Sequence, residues 1–228
     1  MHYQEQTVAH QVSQNHQSLS INNEIRQDWI NYIINSNYNS NPASISNQYR
    51  LALTEKMHQL KIDGRKLFHM SITYKPYASR TYTEKDINRF FINFYTKHFL
   101  PHLLNTKNIH TNIKKSIQPI TYAFVDEHEM NAVKKTTINA TSRLPQDAYE
   151  FPIRLHHHII LAMHPDTLKR METLIGTNTI ATSEFSPKIM TSDIKECEAM
   201  RLLYASKMMK QYPDFLSFPD SLVRHHRH

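Results

Sequence analysis

The sequence predicts an α+β fold: a central antiparallel β-sheet flanked by helices, with a helical extension at the N-terminus. Three observations predict it. Several segments alternate or run apolar over strand lengths, as in KLFHMSITYK and FPIRLHHHIILAMH. Other segments carry apolar residues at helical spacing, as in EKDINRFFINFYTKHFL. The order is strand, helix, strand, strand, helix, strand, helix, and two adjacent strands joined by a loop form a hairpin.

Each element follows from local signals. Residues 1–22 are rich in Gln, Ser, Asn and His and read as a disordered tail. Residues 23–62 form the helical extension. Its first helix, Asn23 to Asn35, carries Ile25, Trp29, Ile30, Ile33 and Ile34. A polar linker (36–46) precedes a second helix near Gln48 to Leu60, with Leu51, Leu53, Met57 and Leu60 as its apolar positions. Residues 63–213 form the main domain. Its first strand spans 66–75 and closes at Pro76. Thr83, followed by Glu84 and Asp86, starts a helix towards Leu100. Strands follow at 117–127 and 151–164, joined by a long polar connection over 128–150. Pro165 and Asp166 open a helix that ends at Gly176. A weaker strand lies near 182–190, and a last helix runs from about Ser192 to Gln211. Residues 214–228 are a basic tail.

Composition narrows the function. The 228 residues hold 27 Lys and Arg against 20 Asp and Glu, a formal charge of +7. With a pI near 9.4, the balance favours a polyanionic partner such as nucleic acid. The lone Cys197 allows no intramolecular disulfide and fits a reducing cytoplasm. No run is apolar enough to span a bilayer, and the first residues lack a signal-peptide core, so a cytoplasmic protein without a membrane partner is expected. Only Gly64 and Gly176 are present, which excludes a glycine-rich phosphate loop. Phosphate chemistry in this chain must use side chains or a metal.

The richest signal is the histidine strand. Side chains alternate along a strand, so His156 and His158 face one way and His157 the other. Two neutral imidazoles two residues apart can grip one ion from one side. The opposite face, Leu155, Ile159 and Leu161, reads as core. A carboxylate from a neighbouring element would complete a His₂–carboxylate set suited to Mg²⁺, Mn²⁺ or Zn²⁺. The preceding strand ends in Asp126, Glu127, His128 and Glu129, and Glu150 precedes the histidines.

The last helix supplies a second signal. Tyr204 and Lys207 are three residues apart and share a helix side, beside an apolar face of Ile194, Met200, Leu203 and Met208. A phenol can attack a phosphodiester and form a phosphotyrosine, and an adjacent lysine can steady the developing charge. Tyr212 is a rival, placed next to Pro213 at the helix end.

Three motifs in this order resemble the HUH endonuclease superfamily: KLFHMSITYKP, RLHHHIILA, and YASK. The likeness covers about Lys66 to Gln211. One departure is His157, where the family usually carries a hydrophobic residue. The resemblance implies a Rep-like palm and a rolling-circle replication initiator with one catalytic tyrosine. It implies His156 and His158 as ligands of a divalent metal (Mn²⁺ or Mg²⁺), Tyr204 as nucleophile and Lys207 as its helper. It favours Glu127 as third ligand, ahead of Asp126 and Glu150. The expected activity is nicking and joining of single-stranded origin DNA through a 5′-phosphotyrosine link, with a host helicase as partner. Lys114, Lys115, Lys134 and Lys135 would contribute to the DNA-binding surface. A single-strand transposase and a non-cutting DNA-binding regulator are the alternatives.

Overall fold

The computed structural model describes residues 23–36, 41–74, 82–129, 153–176 and 189–219. The tails, the connection bearing Glu150, Lys134 and Lys135, and most of the weaker strand expected at 182–190 lie outside the described residues.

In chain order the elements are α1 (Asn23–Asn35), α2 (Ile45–Ile62), β1 (Lys66–Tyr74) and α3 (Glu84–Phe94). A π-helical turn, Tyr95–Phe99, leads into α4 (Leu100–Leu104). Then come α5 (Asn112–Ser116), β2 (Ile120–Glu129), β3 (Ile153–Met163), α6 (Pro165–Gly176), β4 (Ile189–Glu196), α7 (Arg201–Ala205) and β5 (Leu216–Phe218). The sheet order is β4-β1-β3-β2-β5, and every neighbouring pair is antiparallel. The α+β class read from the sequence is the class of the molecule. No helix among the described residues is long and apolar enough to cross a membrane.

Local signals account for the start of α3. Thr83 accepts from the Asp86 backbone N–H while the Asp86 carboxylate accepts from the Thr83 N–H, a reciprocal capping box. Behind it, Phe91, Phe94, Tyr95, Phe99 and Leu103 are fully buried. With Met171 and Leu174 of α6, they cover the sheet face formed by Met70, Ile72, Val125, Ile159 and Leu161.

Two layers cover the other face. Met57 of α2 and Leu202 and Ala205 of α7 pack on Leu67, Tyr122, Phe124, Ile160 and Ala162. Trp29 and Ile33 of α1 close over Leu51 and Leu203. The extension is therefore packed on the sheet and on the segment that carries Tyr204. The buried stripe of α2 is Asn47, Arg50, Leu51, Thr54 and Met57, whereas Leu53 and Leu60 are only partly buried. Arg50 is buried because its polar atoms are satisfied: it donates to Asn47 Oδ1 at 2.8 Å, to Ser206 Oγ at 3.2 Å and to the Leu203 carbonyl.

The C-terminal part differs from the expected long helix over 192–211. Residues 189–196 are instead the edge strand β4, with Ile194 opposite Met70. Pairing with the otherwise open edge of β1, and packing Ile194 against the core, override the helical spacing. The helix that remains, α7, has five residues, and hydrogen-bonded turns continue to Tyr212. Among the described residues β5 is an element the sequence reading lacked; its three residues pair with Thr121, Tyr122 and Ala123.

His157 points into the core, as alternation requires, and is 0% exposed. The Tyr74 hydroxyl and the Asn88 carboxamide oxygen fix its tautomer. Asn88 Oδ1 can only accept, so Nε2–H donates to it at 2.8 Å; Nδ1 then accepts from Tyr74 Oη at 2.6 Å. Burial first, then the His156 and His158 charges, push its pKa down to about 3. Unfolded, the ring titrates near 6.5. The unfolded chain therefore binds a proton below about 6.5 that the folded chain refuses. Stability is full above that pH and falls by on the order of 1 kcal/mol per unit as pH drops from about 6.5 towards 3. Urea unfolding between pH 6.5 and 4.5 tests this. Replacing His157 with Gln should flatten the curve by about one proton; an unchanged slope would remove His157 from the account.

Candidate metal centre

Register builds the site. In the β2–β3 pair Asp126 lies opposite His156, and Phe124 opposite His158. In the β1–β3 pair Ser71 lies opposite His158 and Thr73 opposite His156. Residues that face each other across neighbouring strands point to the same side of the sheet. His69, Ser71, Asp126, His156 and His158 therefore share one face, and Tyr204 approaches it from α7.

Asp126 is completely buried, and His156 and His158 are 9% and 5% exposed. His158 Nε2 lies 2.9 Å from Asp126 Oδ2, His156 Nε2 lies 3.6 Å from the same oxygen, and the two Nε2 atoms are 3.3 Å apart. Ligand atoms about 2.0–2.2 Å from an ion, at tetrahedral or octahedral angles, stand roughly 3.0–3.5 Å from one another. The three donors have almost that spacing, and together they form a group able to hold a metal. Two imidazoles and one carboxylate leave further positions open, as a catalytic ion requires.

The surroundings of His158 suit this. Its Nδ1 meets Ser71 Oγ at 3.0 Å and His69 Nε2 at 3.1 Å. With Nδ1 held by those partners, Nε2 is directed at Asp126, the arrangement in which an outer hydrogen bond sets the orientation of a ligand ring. A hydroxyl both donates and accepts, so Ser71 accommodates either tautomer of the ring.

Lys207 reaches the same carboxylate and forms an ion pair with Asp126 Oδ2. Burial alone would raise the Asp126 carboxyl, but hydrogen bonds from His158 and Lys207, with the Lys207 and His156 charges, hold it below the usual range. The group is an anion at neutral pH, the form that binds a cation.

The carboxylate that joins the histidines is Asp126 in place of the expected Glu127. Glu127 pairs with Leu155 on the opposite face and accepts from Gln211 Nε2 at 2.7 Å. Tyr212, the rival tyrosine, packs against the core of that opposite face, and Gln211 Nε2 donates to its hydroxyl at 3.3 Å.

Tyr204 is half-buried, and its ring centroid lies 5.2 Å from that of His158 and 6.5 Å from that of His69. No protein-family model, curated protein or solved structure matches this chain.

Two cations flank the phenol. Lys207 Nζ lies 4.5 Å from the ring centroid, and the Arg201 guanidinium carbon 4.1 Å from it. Of the residues singled out in the sequence, Asp126, His156, His158, Tyr204 and Lys207 come together; Glu127, ranked ahead of Asp126, does not join them. The sequence reading did not single out His69, Ser71, Arg50 or Arg201. His69 and Ser71 did carry a signal: polar residues two apart in an apolar strand share a face. Arg50 carried none, because a lone arginine in an amphipathic helix reads as exposed.

Proposed function

We propose that this protein is a metal-dependent nicking and joining enzyme for single-stranded DNA, of the HUH type, serving as a replication initiator. The single observation that carries the reading is the placement of Tyr204 beside the Asp126–His156–His158 group, 5.2 Å from the His158 ring. A tyrosine against a set of open-sided metal ligands is what phosphodiester transesterification needs.

In this reading Tyr204 Oη attacks the phosphorus of a DNA phosphodiester. The Oη–P bond forms, the P–O3′ bond breaks, and the phenolic proton ends on the departing 3′ oxygen by way of solvent. The 5′ side stays on Tyr204, and the free 3′ hydroxyl can prime synthesis. No water is consumed, so attack by a 3′ hydroxyl on the link rejoins the strand. His156, His158 and Asp126 would hold a divalent ion such as Mn²⁺ or Mg²⁺, which would supply Lewis-acid polarisation of the phosphate. Lys207 keeps the buried carboxylate compensated and lies within reach of the ring. In this reading a helicase is the partner that unwinds the duplex.

The test uses single-stranded oligonucleotides tiled over candidate origins, with Mn²⁺, followed by a denaturing gel. A covalent adduct is expected, and Tyr204→Phe should abolish it while leaving the fold intact. An adduct that survives in Tyr204→Phe would move the nucleophile elsewhere. No adduct with any oligonucleotide would leave a non-cutting, DNA-binding regulator as the better reading.

A further inference from the structure

We propose that Arg201 binds a DNA phosphate beside Tyr204, a role that the YASK motif does not contain. The inference rests on the nicking reading for the identity of its ligand. Its geometry stands on separate observations.

Two cationic groups border the Tyr204 ring, and their surroundings differ. Lys207 is mostly buried, with a side chain 13% exposed, and its ammonium is ion-paired with Asp126. It is held at the floor of the site. Arg201 is exposed and sits one helical turn before Tyr204, with its guanidinium carbon 4.1 Å from the ring centroid. The cation on the solvent side of the nucleophile is therefore the arginine.

The chemistry of a guanidinium makes this placement useful. The group is planar, remains charged, and can rest on an aromatic face while its N–H fork stays available in its own plane. A phosphodiester presents two non-bridging oxygens that match such a fork. A strand laid across Tyr204 brings a phosphate to the phenol in any case, because attack requires reacting atoms within about 3.5 Å. Arg201, anchored on the ring that attacks, then positions phosphate and nucleophile relative to each other.

Binding measurements separate this role from side-chain packing on the ring without a ligand. Full-length Tyr204→Phe protein is titrated with a fluorescent single-stranded oligonucleotide across a salt series, and the same is done with Arg201→Gln and Arg201→Lys in that background. Arg201→Gln should weaken binding by about tenfold, the size of a charge-assisted hydrogen-bond pair. It should also reduce the slope of log K against log salt by about 0.7, the single-strand value for one lost contact. Arg201→Lys should restore the slope but only part of the affinity, because a lysine lacks the fork. Mn²⁺ affinity and thermal stability should not change. Equal affinity and equal slope in Arg201→Gln would overturn the proposal, as would failure of the parent protein to bind the oligonucleotide. The nicking reading is judged apart from this, on adduct formation by the protein with Tyr204 intact. Binding without adduct would sink that reading while Arg201 still stands as a phosphate contact.

Discussion

If the Asp126–His156–His158 group holds Mn²⁺ as proposed, Asp126→Asn should lower the Mn²⁺ affinity by on the order of 100-fold. The carboxamide has the shape of the carboxylate, so β2 and its register with β3 are retained. It carries no charge and presents a single oxygen, which makes it a poor ligand for a hard divalent ion. The parent carboxylate is ready for the ion, since His158 and Lys207 keep it ionised despite complete burial. Glu127→Gln is the matched control. Its side chain belongs to the other face and to Gln211, so Mn²⁺ affinity should stay at the parent value. Titration calorimetry on the three proteins decides the matter. Unchanged affinity in Asp126→Asn, or an equal loss in Glu127→Gln, would return the third ligand to Glu127 or place it on another element. Asp126→Asn also deprives Lys207 of its counter-ion. A stability loss of about 1–3 kcal/mol is expected with the fold preserved.

Arg50→Ala destabilises the protein by about 3–5 kcal/mol, the range for breaking a buried, hydrogen-bonded charge site. Arg50 is 1% exposed and joins three acceptors on two elements: Asn47 on α2, and Leu203 and Ser206 around Tyr204. Burial lowers its pKa to about 10, with the Tyr32 interaction acting the other way, and it is still charged at neutral pH. Alanine leaves those acceptors without their donor and opens a cavity between α2 and α7. For a chain of this size the melting temperature should fall by roughly 10 °C. Calorimetric melting checks it, and a shift under about 2 °C would mean that α7 is held without the arginine. Arg50→Lys should recover part of the loss, because one ammonium can still meet some of the acceptors. The same contacts tie the N-terminal helices to the segment bearing the tyrosine. Arg50 is thus a structural link between the extension and the site.

Much of the fold was legible in the sequence. The first helix runs over Asn23–Asn35 as its spacing implied, and β1 starts at Lys66 as expected. Thr83 with Asp86 announced the start of α3, and Pro165 that of α6. These signals are local: caps, prolines, and periods of 2 or 3.6 residues. The exchange of helix for strand over 192–196 has a non-local cause. β4 exists because β1 offers an open edge and Met70 a place for Ile194, and neither fact lies within eight consecutive residues.

The site divides the same way. Alternation alone determined that His156 and His158 share a face and that His157 leaves it. Helical spacing, in turn, allowed a tyrosine and a lysine three residues apart to act together. Which carboxylate completes the group was undecidable from sequence. A slip of one residue in the β2–β3 register exchanges the faces of Asp126 and Glu127, and the 23-residue separation of the two strands, 130–152, hides the register. Only the folded sheet, with Asp126 opposite His156, settles which of the two stands beside the imidazoles. Tertiary packing likewise decided that Lys207 meets Asp126, because that contact depends on where α7 lands on the sheet, whereas Arg201 meets Tyr204 as an i,i+3 neighbour within α7. The sequence by itself determined the ingredients that short-range periodicity can order. Strand register and helix docking, which are set by distant contacts, decided which of those ingredients meet.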